Sequence, residues 1–177
     1  MPRTRIPVVA GWFTEDGSGE EFRLLGTRCS GCRTVHFPRE DGHCRNPGCP
    51  GGELTEVPLS RRGTVWSCTD GRYQPPPPYI SDPGVPWVPY TLVAVELAAE
   101  RMVVLGQAAP GVGVAELPVG SVVEVVPGVL DEDPVAGVVH TTWHWRPVAA
   151  EGAVMGPGAV AESESESETV LAPGAVS

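Results

Sequence analysis

The stretch "CSGCRTVHFPREDGHCRNPGC", Cys29 to Cys49, holds four of the five cysteines of a 177-residue chain. They fall in two close pairs, Cys29-x2-Cys32 and Cys44-x4-Cys49, with eleven residues between the pairs. A short gap lets two thiolates reach one ion, and a second pair completes the tetrahedron that Zn²⁺ takes in a closed structural site. Gly31 and Gly48 each precede the second cysteine of a pair, where a tight turn must aim two sulfurs inward, and Pro47 stiffens the second turn. Two disulfides, or free thiols, are the competing readings. The N-terminus "MPRTRIPVVAGWF" lacks the apolar core of a secretory signal, so a reducing cytoplasm is expected, and there paired cysteines favour metal. Four thiolates on Zn²⁺ leave a charge of about −2 by simple counting. Arg28, Arg33 and Arg45 stand beside the ligands to offset it. His36 and His43 read as loop histidines, because four cysteines already suffice.

Composition agrees with a small core that needs a staple. Twenty-two glycines and twenty prolines mark many turns and loops. Net charge is −10, and all twelve basic residues are arginine. Ten of those arginines precede residue 73, so the acidity lies in the second half of the chain. No clustered basic excess marks a polyanion-binding stripe. No run of 18 apolar residues predicts a membrane span.

Three units follow. Residues 11–58 carry the cysteines, with a helix expected around "GEEFRLLG" (19–26). Residues 59–148 hold five strand-like runs rich in Val, Thr, Trp and Tyr and bounded by Gly and Pro: "GTVWSCT" (63–69), "VPYTLVAVEL" (88–97), "RMVVLGQA" (101–108), "SVVEVVP" (121–127) and "GVVHTTWHW" (137–145). Five short strands suggest a small closed barrel, with an oligonucleotide/oligosaccharide-binding (OB) barrel as the natural candidate and a small sandwich as the alternative. Residues 149–177, with Glu-Ser alternation over 162–168, read as a disordered acidic tail. The fold class is therefore mostly β: an N-terminal helix and zinc ribbon, then a five-stranded barrel.

No nucleophile–base set stands out. GxSxG, P-loop and GxGxxG patterns are absent, and Cys68 sits alone in a strand. Strand alternation places Trp143 and Trp145 on one face and His140, His144 and Arg146 on the other. The two histidines lie about 13 Å apart on a straight strand, too far to share a metal ion. The tetraproline at 75–78, flanked by Tyr73, Tyr79 and Trp87, is a stiff extended loop suited to an interface. Arg61 and Arg62 are candidates for phosphate, because a guanidinium offers a planar fork of donors.

The order of "LLGTRCSGCRTVHFPRE", "CRNPGC", "EVPLSRRGTVWSCT", "YTLVAVELAAERMVVLGQ" and "LPVGSVVEVV" resembles the acyl-CoA-associated zinc-ribbon/OB-fold family over residues 11–147. The resemblance implies an N-terminal helix, a ribbon with Cys29, Cys32, Cys44 and Cys49 as zinc ligands, and an OB barrel. It implies a non-catalytic cytoplasmic subunit that docks on a thiolase-fold enzyme, a lipid-transfer-type aldolase or an acyl-CoA hydratase in lipid, steroid or aromatic-acid breakdown. The partner would carry catalysis, and a CoA thioester would be shared by the complex. Arg61, Arg62 and Arg101 are the candidates for CoA phosphates. Tyr73, Tyr79, Trp87, His140 and His144 are the candidates for the partner interface. The alternative is a nucleic-acid-binding ribbon/OB module.

Overall fold

The computed structural model describes residues 3–14, 21–74 and 86–148. The tail beyond residue 148, the tetraproline and Tyr79 lie outside these residues. Among the described residues, nine strands run in chain order: β1 (Thr4–Pro7), β2 (Leu25–Cys29), β3 (Val35–His36), β4 (Leu54–Pro58), β5 (Arg62–Gly71), β6 (Tyr90–Leu97), β7 (Met102–Ala108), β8 (Val122–Asp133) and β9 (Val138–Pro147). One 3-10 turn, Val114–Glu116, precedes β8. No α-helix occurs among the described residues, and no helix there is long and apolar enough to cross a membrane.

The five sequence-predicted strands are β5 to β9. β5 pairs with β6 and β6 with β7, both antiparallel. β7 meets β9 in parallel at Gln107↔His144 and Ala108↔Trp145. β9 then runs antiparallel to β8, and β8 returns to β5 through Arg62↔Glu124 to Thr64↔Val122. The ring closes, so every one of the five strands has two neighbours and none exposes a full edge. Inward residues alternate as the pleat demands. Val93, Val95 and Leu97 of β6 are fully buried, as are Val123 and Val125 of β8 and Trp145 of β9. Gly106, in the "VLGQ" run, is required by a close approach. A Cβ there would fall 2.7 Å from Trp143 Nε1 and 2.8 Å from Trp145 Nε1.

The cysteine unit is a three-stranded antiparallel sheet in the order β3-β2-β4. The helix expected over 19–26 does not form where the structure describes that segment. Glu21 to Arg23 are irregular, Leu24 makes an antiparallel bridge to Phe13, and Leu25 opens β2. The backbone of this segment is already committed, with Thr14 N–H to Arg23 O at 2.9 Å, Leu25 N–H to Trp12 O at 2.8 Å and Leu59 N–H to Leu24 O at 2.8 Å. Leu24 is fully buried, so tertiary pairing overrides a weak helical propensity. β1, unanticipated from sequence, lies parallel to β9 over Thr4↔Val138 to Pro7↔Thr141.

Aromatic packing joins the two sheets. Phe37, just past β3, stacks edge-on against Trp143 at 5.9 Å and Trp12 at 5.7 Å. Trp12 lies 6.2 Å from Trp143, and Phe13 lies 6.1 Å from it. These edge-on and tilted contacts, with the fully buried Leu24 and Leu59, form one apolar joint between ribbon and barrel.

Candidate metal centre

Cys29 ends β2, Cys32 lies in the turn that follows, and Cys44 and Cys49 lie on the long loop between β3 and β4. Backbone hydrogen bonds shape each turn. Arg33 N–H donates to Cys29 O at 2.8 Å, Cys29 N–H to Thr34 O at 3.0 Å, and Cys49 N–H to Asn46 O at 2.9 Å. The Asn46 side-chain oxygen also accepts from Gly48 N–H at 3.1 Å. Gly31 is required by contact between the turns, because a Cβ there would lie 2.2 Å from Gly51 O. Gly48 has no such constraint; the nearest atom to its Cβ position is Asn46 Oδ1 at 3.6 Å. Of the two glycines expected to ease these turns, only Gly31 meets a close neighbour.

All four sulfurs lie within 4.8 Å of one another. Cys29 to Cys49 and Cys32 to Cys44 are each 3.6 Å. Tetrahedral Zn²⁺ with Zn–S bonds of about 2.3 Å places its sulfurs about 3.8 Å apart, so the donor set fits the ion. The cysteines are not disulfide-bonded. The electrostatics point the same way. The Thr34 hydroxyl, 3.2 Å from Cys32 Sγ, and the Thr34 backbone pull that thiol down to about 6. For Cys44 the Asn46 backbone amide also pulls down, but burial and the neighbouring Cys32 and Cys29 sulfurs outweigh it and push the thiol up to about 12. Metal-free, the cluster cannot carry four negative charges together; a divalent cation removes that penalty.

His36 is closer to the centre than sequence spacing indicated. Its Nε2 lies 3.4 Å from Cys44 Sγ, so the imidazole is a hydrogen-bond partner of a ligand sulfur. The signal was available in the strand pairing, which sets His36 opposite Thr27, two residues before Cys29. His43 is exposed. Arg45 pairs with Glu40, and Arg28 and Arg33 remain exposed beside the ribbon.

The other singled-out residues scatter over the barrel. Arg61 contacts Glu21 and lies 3.1 Å from Glu124, while Arg62 is 4.0 Å from Glu124. Arg146 completes this group at 2.6 Å, and its hydrogen bond, with Arg61 and Arg62 nearby, holds the Glu124 carboxyl below the usual range. Arg101 lies in the β6–β7 turn, apart from them. Tyr73 is exposed, and Trp87 donates to Gly71 O at 3.3 Å and packs on Tyr90. His140 contacts Asp131 and is partly exposed. His144, expected on a contact face beside His140, is only 5 % exposed, and burial lowers its pKa. It lines a cleft with Gln107, Tyr90 and Thr91. The Cys68 thiol donates to Leu117 O at 3.4 Å.

Sequence reasoning missed an apolar outer face. Trp66 is 62 % exposed at a β-bulge in β5, between Val65 and Ser67. It shares a shallow groove with Leu92 of β6 and Leu105 of β7, the latter 61 % exposed. Leu92 and Leu105 continue the groove toward Leu130. The signal was strand alternation: with Val104 inward, Leu105 must point out.

Fold and site together define a four-thiolate zinc ribbon packed on a closed five-stranded β-barrel. Residues 18–55 match the family model described as the ChsH2 rubredoxin-like zinc ribbon domain, so this segment is a ribbon of the ChsH2 type. Among solved structures, the chain is similar to one named "Ltp2-ChsH2(DUF35) aldolase", at 24 % identity and a TM-score of 0.49 over 71 % of this chain and 84 % of that one. No curated protein matches the chain.

Proposed function

We propose that the chain is a non-catalytic cytoplasmic subunit that docks on an aldolase-type or other thiolase-fold enzyme acting on acyl-CoA substrates, with an acyl-CoA hydratase as a further partner. It stabilises that enzyme and helps shape its CoA and acyl channel. Two features support the reading from the residues up: the ChsH2-type ribbon, and the family resemblance of the runs on either side of it. We read the barrel as an OB barrel, because its strands close in the order first, second, third, fifth, fourth.

The observation that carries the docking role is the outer face of β5 to β7. Trp66, Leu92 and Leu105 form an apolar groove rimmed by polar Ser67 and Thr69, the composition of an interface core. An exposed tryptophan on a rigid strand is a typical binding hot spot. Nucleic-acid binding would ask for arginines beside such an aromatic. Trp66 has apolar and hydroxyl neighbours instead.

The test is affinity purification of the tagged chain from its native host, with bound proteins identified by mass spectrometry. A stoichiometric aldolase- or thiolase-fold subunit is expected, and it should be lost in Trp66→Ser while zinc content is unchanged. Recovery of the chain alone, or with nucleic acid, contradicts the reading.

A further inference from the structure

Two residues other than glycine adopt left-handed backbone among the described residues, and both are arginines: Arg33 at φ +62° and Arg101 at φ +56°. Arg33 follows the first cysteine pair, and Arg101 closes the β6–β7 turn, where its N–H donates to Ala98 O at 3.3 Å. Glycine is the default at such positions, because a Cβ is strained there. Strained positions that persist tend to gather where a side chain is wanted for function. These two lie far apart in sequence yet line the same cleft, of about 510 Å³, between the ribbon turn and the β6–β7 turn. Arg28 lines it too.

The ion pairs make the same point independently. Among the described residues, Arg3, Arg23, Arg39 and Arg45 on the N-terminal side, and Arg61, Arg62, Arg72 and Arg146 in the barrel, lie within 4.0 Å of a carboxylate. The guanidinium groups of Arg28, Arg33 and Arg101 have no side-chain partner among the described residues. One acid lines the cleft, Glu100. Its Oε1 accepts from Ser60 N–H at 2.8 Å and from the Ser60 hydroxyl at 2.9 Å, which ties it to Ser60, and its Oε2 is buried without a partner. Cys32 borders the cleft as well, and by simple counting a zinc–thiolate charge of about −2 balances two of the three guanidinium charges. Arg61 and Arg62, the other phosphate candidates, are engaged by Glu124.

We propose that Arg28, Arg33 and Arg101 form a binding site for a multiply charged oxyanion of the phosphate class. Three forks on one cleft match a group with several acceptor oxygens and two or more charges, whereas a single carboxylate fills one fork. The site stands apart from the docking face and does not depend on the identity of the partner.

The test titrates inorganic phosphate into the zinc-loaded full chain at constant ionic strength, followed by the arginine Nε–H resonances. Arg33→Gly and Arg101→Gly are the informative variants, since glycine relaxes the backbone at both positions. Saturable binding that shifts three arginine side chains is expected. Each variant should bind at least tenfold more weakly while keeping its zinc and an equal or higher Tm. Absence of saturable binding overturns the proposal. So does a variant that loses zinc or stability but binds phosphate as tightly as the parent, because the arginine would then serve the turn alone.

Discussion

The ribbon and the barrel are held together by different physics. In the barrel, five strands close on a buried set of valines and leucines around Trp145, and the ring itself satisfies the backbone. In the ribbon, β2 to β4 bury little. Only Thr27, Cys29 and Gly26 are buried within those strands, and four sulfurs stand where a core would otherwise be. A unit this small lacks the apolar area to offset its chain entropy, so a metal must supply folding free energy. The lesson is that one chain can place its stability in covalent-like bonds at one end and in packing at the other. The aromatic joint of Trp12, Phe37 and Trp143 lets the two lean on each other.

That contrast can be broken from either side. The largest effect is expected from Cys44→Ser. Structural zinc sites of this kind contribute about 10–16 kcal/mol of apparent binding free energy at neutral pH. The variant should lose zinc and the dispersion of ribbon resonances, while the barrel keeps its β-sheet circular dichroism. Trp145→Ala comes next, at about 3–5 kcal/mol, because a fully buried indole leaves a cavity. Here urea unfolding should shift to a lower midpoint while zinc stoichiometry in the native state stays at one per chain. Smallest is Glu124→Gln, at about 1–3 kcal/mol at neutral pH, since it removes a charge partner of Arg61 and Arg146. The Glu124 carboxyl is held below its ordinary value, so its stabilising contribution is present above the unfolded-state pKa and fades as pH falls through the folded one. Thermal melts of parent and variant should therefore converge in acid and separate toward pH 7. An unchanged gap across that range would assign the effect to packing.

Much of this was legible in the sequence, for identifiable reasons. The four cysteines announce themselves by spacing, whereas the turns that gather their sulfurs are set by backbone hydrogen bonds. The five barrel strands are marked by β-branched runs between glycines and prolines, and each run lies within or beside an observed strand. The failures have one cause in common: the deciding partner is distant in sequence. "GEEFRLLG" reads as helical until Phe13 and Leu59 claim the backbone around Leu24. β1 has too little apolar character to be seen without β9 beside it. His144 alternates away from the tryptophans as expected, but periodicity does not reveal that a cleft wall covers that face. The bulge at Trp66, which leaves Ser67 exposed beside it, is a property of the β5–β6 pairing rather than of β5 alone.

The measurement that bears most directly on this division of labour is amide hydrogen exchange on the full chain, zinc-loaded and after chelation. With the metal removed, protection should collapse across Leu25–Pro58 and persist in β6, β8 and β9. Uniform loss across both sheets, or full protection of the ribbon without zinc, would contradict the account.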